Sequence, residues 1–127
     1  MRELSYKHIY ISEAKVDFHR DSLEHFIGEY SPLMQELDVT GFIAYRRRTF
    51  FHLLEGADDK VQTLMNLLRR DDRHTVTREL IAPPTKERIF PRWHMKHIVN
   101  IEHASLTSRD RLQVKNYWDT MLPLRML

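Results

Sequence analysis

Apolar and polar residues alternate from Tyr6 to Ser12, with Ile9 and Ile11 on one side and His8 and Tyr10 on the other, which is the two-residue period of a strand. One of its faces is expected to bury and the other to line something. From about Asp17 to Met34, Phe18, Leu23, Phe26, Ile27 and Tyr30 recur at helical spacing. Asp17 or Asp21 stands where it could accept the first free amides, and Pro32 is expected to mark the helix end. Val39 to Tyr45 and Thr49 to Gly56 then read as two antiparallel strands. The turn between them, Arg46-Arg47-Arg48, lacks glycine, so its type is left open. Val61, Leu64, Met65, Leu67 and Leu68 mark a second helix that begins in Asp58-Asp59 and ends in Arg69-Arg70, a charge order that complements the helix dipole. It should stop around Asp71 or Asp72. A strand from Thr75 to Ile81, halted by Pro83-Pro84, and another from Trp93 to Ile101 follow. A last helix, roughly Thr107 to Tyr117, carries Leu112 and Val114 with Trp118 just beyond, and a mostly apolar tail reaches Leu127.

Strand, helix, strand, strand, helix, strand, strand, helix is the order of an α+β ferredoxin-like sandwich: a mixed five-stranded sheet, two helices on one face and a C-terminal helix. Residues 1–101 are expected to form the domain, with 102–127 a helix and tail packing on it. The 127 residues, 42% hydrophobic and 30% charged, fit one globular unit. Twenty basic against eighteen acidic residues give a formal charge of +2, which lends nucleic-acid binding little support. No cysteine is present, so disulfides, thiolate metal sites and thiol catalysis are excluded. No run approaches a membrane span and no apolar signal core opens the chain, so a cytoplasmic protein without membrane partners is expected.

Chemistry enters through His52, a titratable ring in the middle of an otherwise apolar strand. Such a position is hydrogen-bonded or sits at a site. The eight histidines do not make a metal centre: His94 and His97, three apart on a strand, would face opposite ways, and no ligand cluster at zinc spacing accompanies them. The three arginines at 46 to 48 read as a solvated tip. No nucleophile constellation, paired-carboxylate motif or glycine-rich phosphate loop suggests an enzyme.

Five strings taken together, Tyr10-Ile11-Ser12, Val39-Thr40-Gly41, Leu54-Glu55-Gly56, Arg70-Asp71-Asp72-Arg73-His74 and Arg88-Ile89-Phe90-Pro91-Arg92-Trp93-His94-Met95, resemble the BLUF family of flavin-based blue-light sensors. The resemblance runs from about Leu4 to Val99. It implies FAD held between the two helices, and a switch in which a tyrosine, a glutamine and the flavin edge exchange hydrogen bonds after blue light. A Trp and a Met on the last strand respond, and a partner reads the change. Tyr10 matches the photoactive tyrosine, Trp93 and Met95 the responsive pair, and Arg73 the arginine that reaches a flavin carbonyl, with Asp71 and His74 beside it.

Departures at three places stand out against that pattern. His52 occupies the place of the switching glutamine, and Leu33 and Met34 stand where the family has the side chains that hold the polar edge of the flavin. Tyr30 replaces a small serine. The positions that would surround a bound flavin are Phe26, Tyr30, Leu33, Met34, His52, Asp71, Arg73 and His74. Neutral histidine has one donor and one acceptor nitrogen, and titration near neutral pH would make such a site pH-dependent. The expectation is therefore a BLUF-like signalling domain in which flavin binding and the photocycle are weakened or lost; the alternative is a flavin-binding photoreceptor with a modified photocycle. With no output domain expected on the same chain, signalling would pass to a separate effector protein or through self-association, and Leu122, Leu124, Met126 and Leu127 are candidate contacts.

Overall fold

A computed structural model describes residues 4–98 and 107–125. The elements are β1 (Ser5–Ala14), α1 (Arg20–Glu36), β2 (Thr40–Arg46), β3 (Thr49–Gly56), α2 (Asp58–Arg70), β4 (His74–Thr85), β5 (Lys96–His97) and α3 (Ser108–Arg125). One open five-stranded sheet runs in the order β4-β1-β3-β2-β5, antiparallel except for the β2–β5 pair. This is the ferredoxin-like arrangement the element order predicts.

Both faces of the sheet are buried. Tyr10 and Ala14 of β1, Ile43 of β2, and Phe50 and Leu54 of β3 pack with Phe26 and Met34 of α1 and with Leu64, Met65 and Leu68 of α2. On the opposite face Ile9, Ile11, Phe42, Phe51 and Leu53 pack with Phe90, Ile98 and Val114 of α3. The alternation in β1 therefore divides two cores rather than a core from an open surface. Leu112 of α3 is exposed. Ile101, Met126 and Leu127, and the side chains of Trp118, Leu122 and Leu124, lie outside what the structure describes.

Several boundaries differ from the sequence reading. His19, rather than Asp17 or Asp21, caps α1: its Nδ1 accepts from the Ser22 amide, and the Ser22 hydroxyl accepts from the His19 amide, closing a capping box. The helix passes through Pro32 to Glu36. Pro32 cannot donate to the Gly28 carbonyl, but both residues are exposed, so water can take that place. β4 likewise runs through Pro83-Pro84 to Thr85. It is an edge strand, and the prolines fall in a register shift opposite Ser5 and Lys7, where no ladder hydrogen bond is lost. The last strand shrinks from the expected Trp93 to Ile101 to two residues, Lys96 and His97, within the described chain. α3, in contrast, extends past Tyr117 to Arg125.

The turn between β2 and β3 has two residues, Arg47 and Arg48, with φ of 52° and 63°. Two left-handed residues match the right-handed strand twist, which is why two-residue hairpins use this geometry and favour Asn-Gly. Arg48 is held there, its carbonyl accepting from the Ala14 amide and its guanidinium donating to the Ala14 carbonyl. The exposed Arg47 side chain makes no such contact. Arg47→Gly is therefore expected to raise unfolding free energy by about 1 kcal/mol in urea titration; a loss of stability would show that the Arg47 side chain contributes to the turn.

Candidate functional site

Tyr10 on β1 and His52 on β3 are direct partners in the strand register, and both side chains point into the core beneath α1 and α2. The Tyr10 hydroxyl lies 2.9 Å from His52 Nδ1, and each residue is 0% exposed. Burial pushes the phenol well above its ordinary range, with the charge field of Tyr30 and Asp71 acting the same way. It also pulls the imidazole down to about 3, helped by neighbouring His74. The pair is neutral across the physiological range, so the expected titration of His52 near neutral pH does not occur.

Neutrality fixes the proton positions. If Tyr10 donates to Nδ1, one buried polar atom is left over, the protonated Nε2, which has no partner among the described residues. The reverse arrangement would strand both the tyrosine proton and the Nε2 lone pair. The first is preferred, because each stranded group costs about 1–3 kcal/mol. His74, 5.9 Å from Tyr10 between ring centroids, has no such deficit. Its Nε2 donates to the Leu68 carbonyl at 2.6 Å, so its Nδ1 accepts from the Ser12 hydroxyl at 2.7 Å.

Polar contacts bridge α1 and the segment that follows α2. Tyr30 of α1 donates to Asp71, just after α2, at 2.6 Å. Arg73 reaches the same carboxylate through Nε at 2.9 Å and Nη2 at 2.6 Å, bonds Glu29 of α1 at 2.7 Å, and lies 4.6 Å over the Phe26 ring. Desolvation would raise the Asp71 pKa, but the hydrogen bonds from Arg73 and Tyr30 outweigh it and hold the carboxyl well below the usual range. Burial and the Asp71 contact push the Tyr30 phenol up. Met34 is fully buried in the same core, and Leu33 packs against it partly exposed.

Trp93 and Met95, two apart, would share a face on a regular strand. They do not. Met95 takes a left-handed φ of 66° and joins the Tyr10 core, whereas Trp93 stacks on Phe90 at 5.1 Å against the opposite core. The segment that carries them is pinned along its length. Glu55, fully buried on β3, accepts the amides of Ile89 and Phe90 at 2.7 Å each and sits 3.5 Å from the Lys7 ammonium. Arg88 donates to the Asp38 carbonyl at 2.7 Å. The Gly41 amide donates to the Trp93 carbonyl at 2.7 Å, and the Ser31 hydroxyl to that of His94 at 2.9 Å. Gly41 has no substitute: at φ 151° an added Cβ would lie 1.8 Å from the Leu53 carbonyl oxygen.

Sequence reasoning passed over the Lys7–Glu55 pair. The signal was available, since each interrupts an otherwise apolar face, Lys7 below Ile9 and Ile11, Glu55 beyond Phe51 and Leu53.

The sequence profile of the family described as sensors of blue-light using FAD matches residues 6–96. The chain belongs to the BLUF family. Among curated relatives, the photoactivated adenylate cyclase subunit alpha-like protein FB of Euglena gracilis is 35% identical over 69 residues, 53% of this chain and 7% of the relative. A second Euglena gracilis relative, the subunit alpha-like protein ST-, is 29% identical over 87 residues, 67% of this chain and 8% of its own length. The chain thus spans under a tenth of the length of these two relatives. Among solved structures, the dark state of the BLUF protein BlrB superposes with a TM-score of 0.69 at 20% identity, over 94% of this chain and 92% of that one. A bacterial light-regulated adenylyl cyclase gives 0.68 at 25% identity, over 96% and 36%.

Two outcomes follow from this BLUF domain's geometry. His52 accepts a proton near 6.5 when unfolded but only near 3 when folded, so the unfolded state binds more protons in between. Stability is then present above about pH 6.5 and lost as pH falls towards 3, by up to ~1.4 kcal/mol per pH unit from this group. His52→Gln should flatten the urea-measured slope in that window by about one proton; an unchanged slope would mean that His52 titrates normally. For Glu55, the substitution to Gln leaves one acceptor oxygen for two amides. It should cost about 1–3 kcal/mol and speed hydrogen exchange at Ile89 and Phe90; unaltered exchange there would remove Glu55 as the anchor.

Proposed function

We propose that this chain is a BLUF-like signalling domain that acts through protein–protein contacts, in which a Tyr10–His52 hydrogen bond has replaced the tyrosine–glutamine switch and flavin is held weakly or not at all. The observation that carries the reading is the Tyr10–His52 pair itself, closed at 2.9 Å inside a packed core. A glutamine amide can rotate, or shift its proton, to exchange donor and acceptor. Here Nδ1 is committed to Tyr10, and Nε2 is the one unspent donor in the pair.

The remaining residues do not supply the polar complement of a flavin. Leu33 and Met34 offer dispersion contacts without amide groups, and Arg73 is already engaged by Asp71 and Glu29. Tyr30 bridges α1 to Asp71 where the family pattern has a small residue. Missing two such hydrogen bonds costs about 1–3 kcal/mol each, on the order of a hundredfold in affinity. Tyr10, His52, Trp93 and Met95 keep the positions of the family's switch, so a change at the dyad would still reach the surface through the 88–95 segment. The relatives that this chain matches include photoactivated adenylate cyclase subunits; this domain would act through contacts with an effector protein or with a second copy of itself. Neither role requires catalysis by the domain. Among the described residues no helix is long and apolar enough to cross a membrane.

Absorbance of the purified protein tests this. A colourless protein that takes up added FAD weakly is expected, and His52→Gln with Met34→Asn should tighten FAD binding by about a hundredfold. A yellow protein that shifts to the red under blue light would overturn the reading in favour of a photoreceptor with a modified photocycle.

A further inference from the structure

A cavity lies on the far side of the sheet from the Tyr10–His52 pair. It has a volume of about 470 Å³ and is formed where β1, the end of β4, the segment after it and the first turns of α3 meet. That volume is in the range of small-molecule sites. Three cations from three separate elements line it: Lys7 of β1, Arg88 of the pinned segment and Arg109 of α3. The one carboxylate in the lining is that of Glu87. Thr85 and Gln113 add a hydroxyl and an amide, and Ala82, Pro83 and Ile89 give an apolar floor.

Two of the three cations, Lys7 and Arg88, are held in place by neighbouring groups, and Arg109 is exposed. Lys7 is only 2% exposed, and its ammonium is oriented by the Thr85 hydroxyl and by Glu55 at 3.5 Å. Glu55 also accepts the Ile89 and Phe90 amides and its charge balances that of Lys7, so Lys7 brings to the cavity a remaining N–H donor rather than net charge. Arg88 is fixed by the Asp38 carbonyl and carboxylate and by Thr40. Arg109 stands in the first turn of α3, where the helix dipole also favours an anion. Guanidinium forks and a buried ammonium suit a phosphate, and an apolar floor suits the organic body that carries it.

We infer that this cavity binds a small organic phosphate monoester, of sugar-phosphate to mononucleotide size, through Lys7, Arg88 and Arg109. A ligand seated there touches Arg88 and Ile89, residues that anchor the segment leading to Trp93 and Met95. Occupancy would therefore stiffen that segment. The inference is independent of whether flavin binds on the other face.

Isothermal titration of the whole protein with AMP and with ribose 5-phosphate, using adenosine and ribose as uncharged controls, tests the site. Saturable binding of the phosphates but not of the controls is expected, weakening as salt is raised. Arg109→Glu, at an exposed position, should reduce affinity about tenfold or more with an unchanged circular dichroism spectrum. In the unmodified protein, AMP should slow hydrogen exchange at residues 85–90, a readout that does not depend on any variant folding. No saturable binding of either phosphate at millimolar concentration would overturn the proposal. So would binding that Arg109→Glu leaves unchanged, or protection that maps elsewhere.

Discussion

The hydrogen bond between Tyr10 and His52 joins two polar side chains that have no access to water. Each resides on an inner strand of the sheet, and each would be costly to bury alone. Pairing settles most of that cost and sets the protonation of both. Beside the pair the aromatic rings of Phe26, Phe50 and His74 contact one another, with Phe26 and Phe50 stacked at 5.2 Å. The Tyr30–Asp71–Arg73 latch then ties α1 to the end of α2 above them. The polar pair thus sits within a shared network of aromatic and polar contacts that joins the sheet to both helices.

The two faces of the sheet are linked through one short stretch of chain. Residues 88–95 start against the α3-side core, held by Glu55, and finish with Met95 in the Tyr10 core. The left-handed Met95 makes that crossing possible, and Gly41 lets the backbone approach closely enough to bond Trp93. A displacement near the dyad and a ligand beside Arg88 would therefore act on the same segment from opposite ends. Coupling of this kind needs two arrangements of one element, which a segment held by a handful of separate hydrogen bonds can provide.

Much of the fold was legible in the chain because burial imposes periods of two and 3.6 residues on strands and helices. The order of elements, the strand carrying Tyr10 and the strand carrying His52 follow from that. What escaped depends on context that periodicity does not carry. Pro32 and Pro83-Pro84 looked like terminators, yet each sits where its missing donor is harmless. The separation of Trp93 from Met95 comes from a single positive φ at a non-glycine residue. The Tyr30–Asp71 bond spans 41 residues, so no local pattern announces it. His52 was recognisable as unusual from its neighbours alone, but its partner, tautomer and depressed basicity required the register between β1 and β3.

The central claim is that His52 is a neutral acceptor towards Tyr10 at Nδ1 and an unspent donor at Nε2. Nitrogen-15 NMR of the histidine rings reads both nitrogens directly. The account predicts an unprotonated Nδ1 and a protonated Nε2 for His52, with shifts that stay constant from neutral pH down to about 5. A protonated Nδ1, or a ring that titrates near the ordinary histidine value of 6.5, would contradict it.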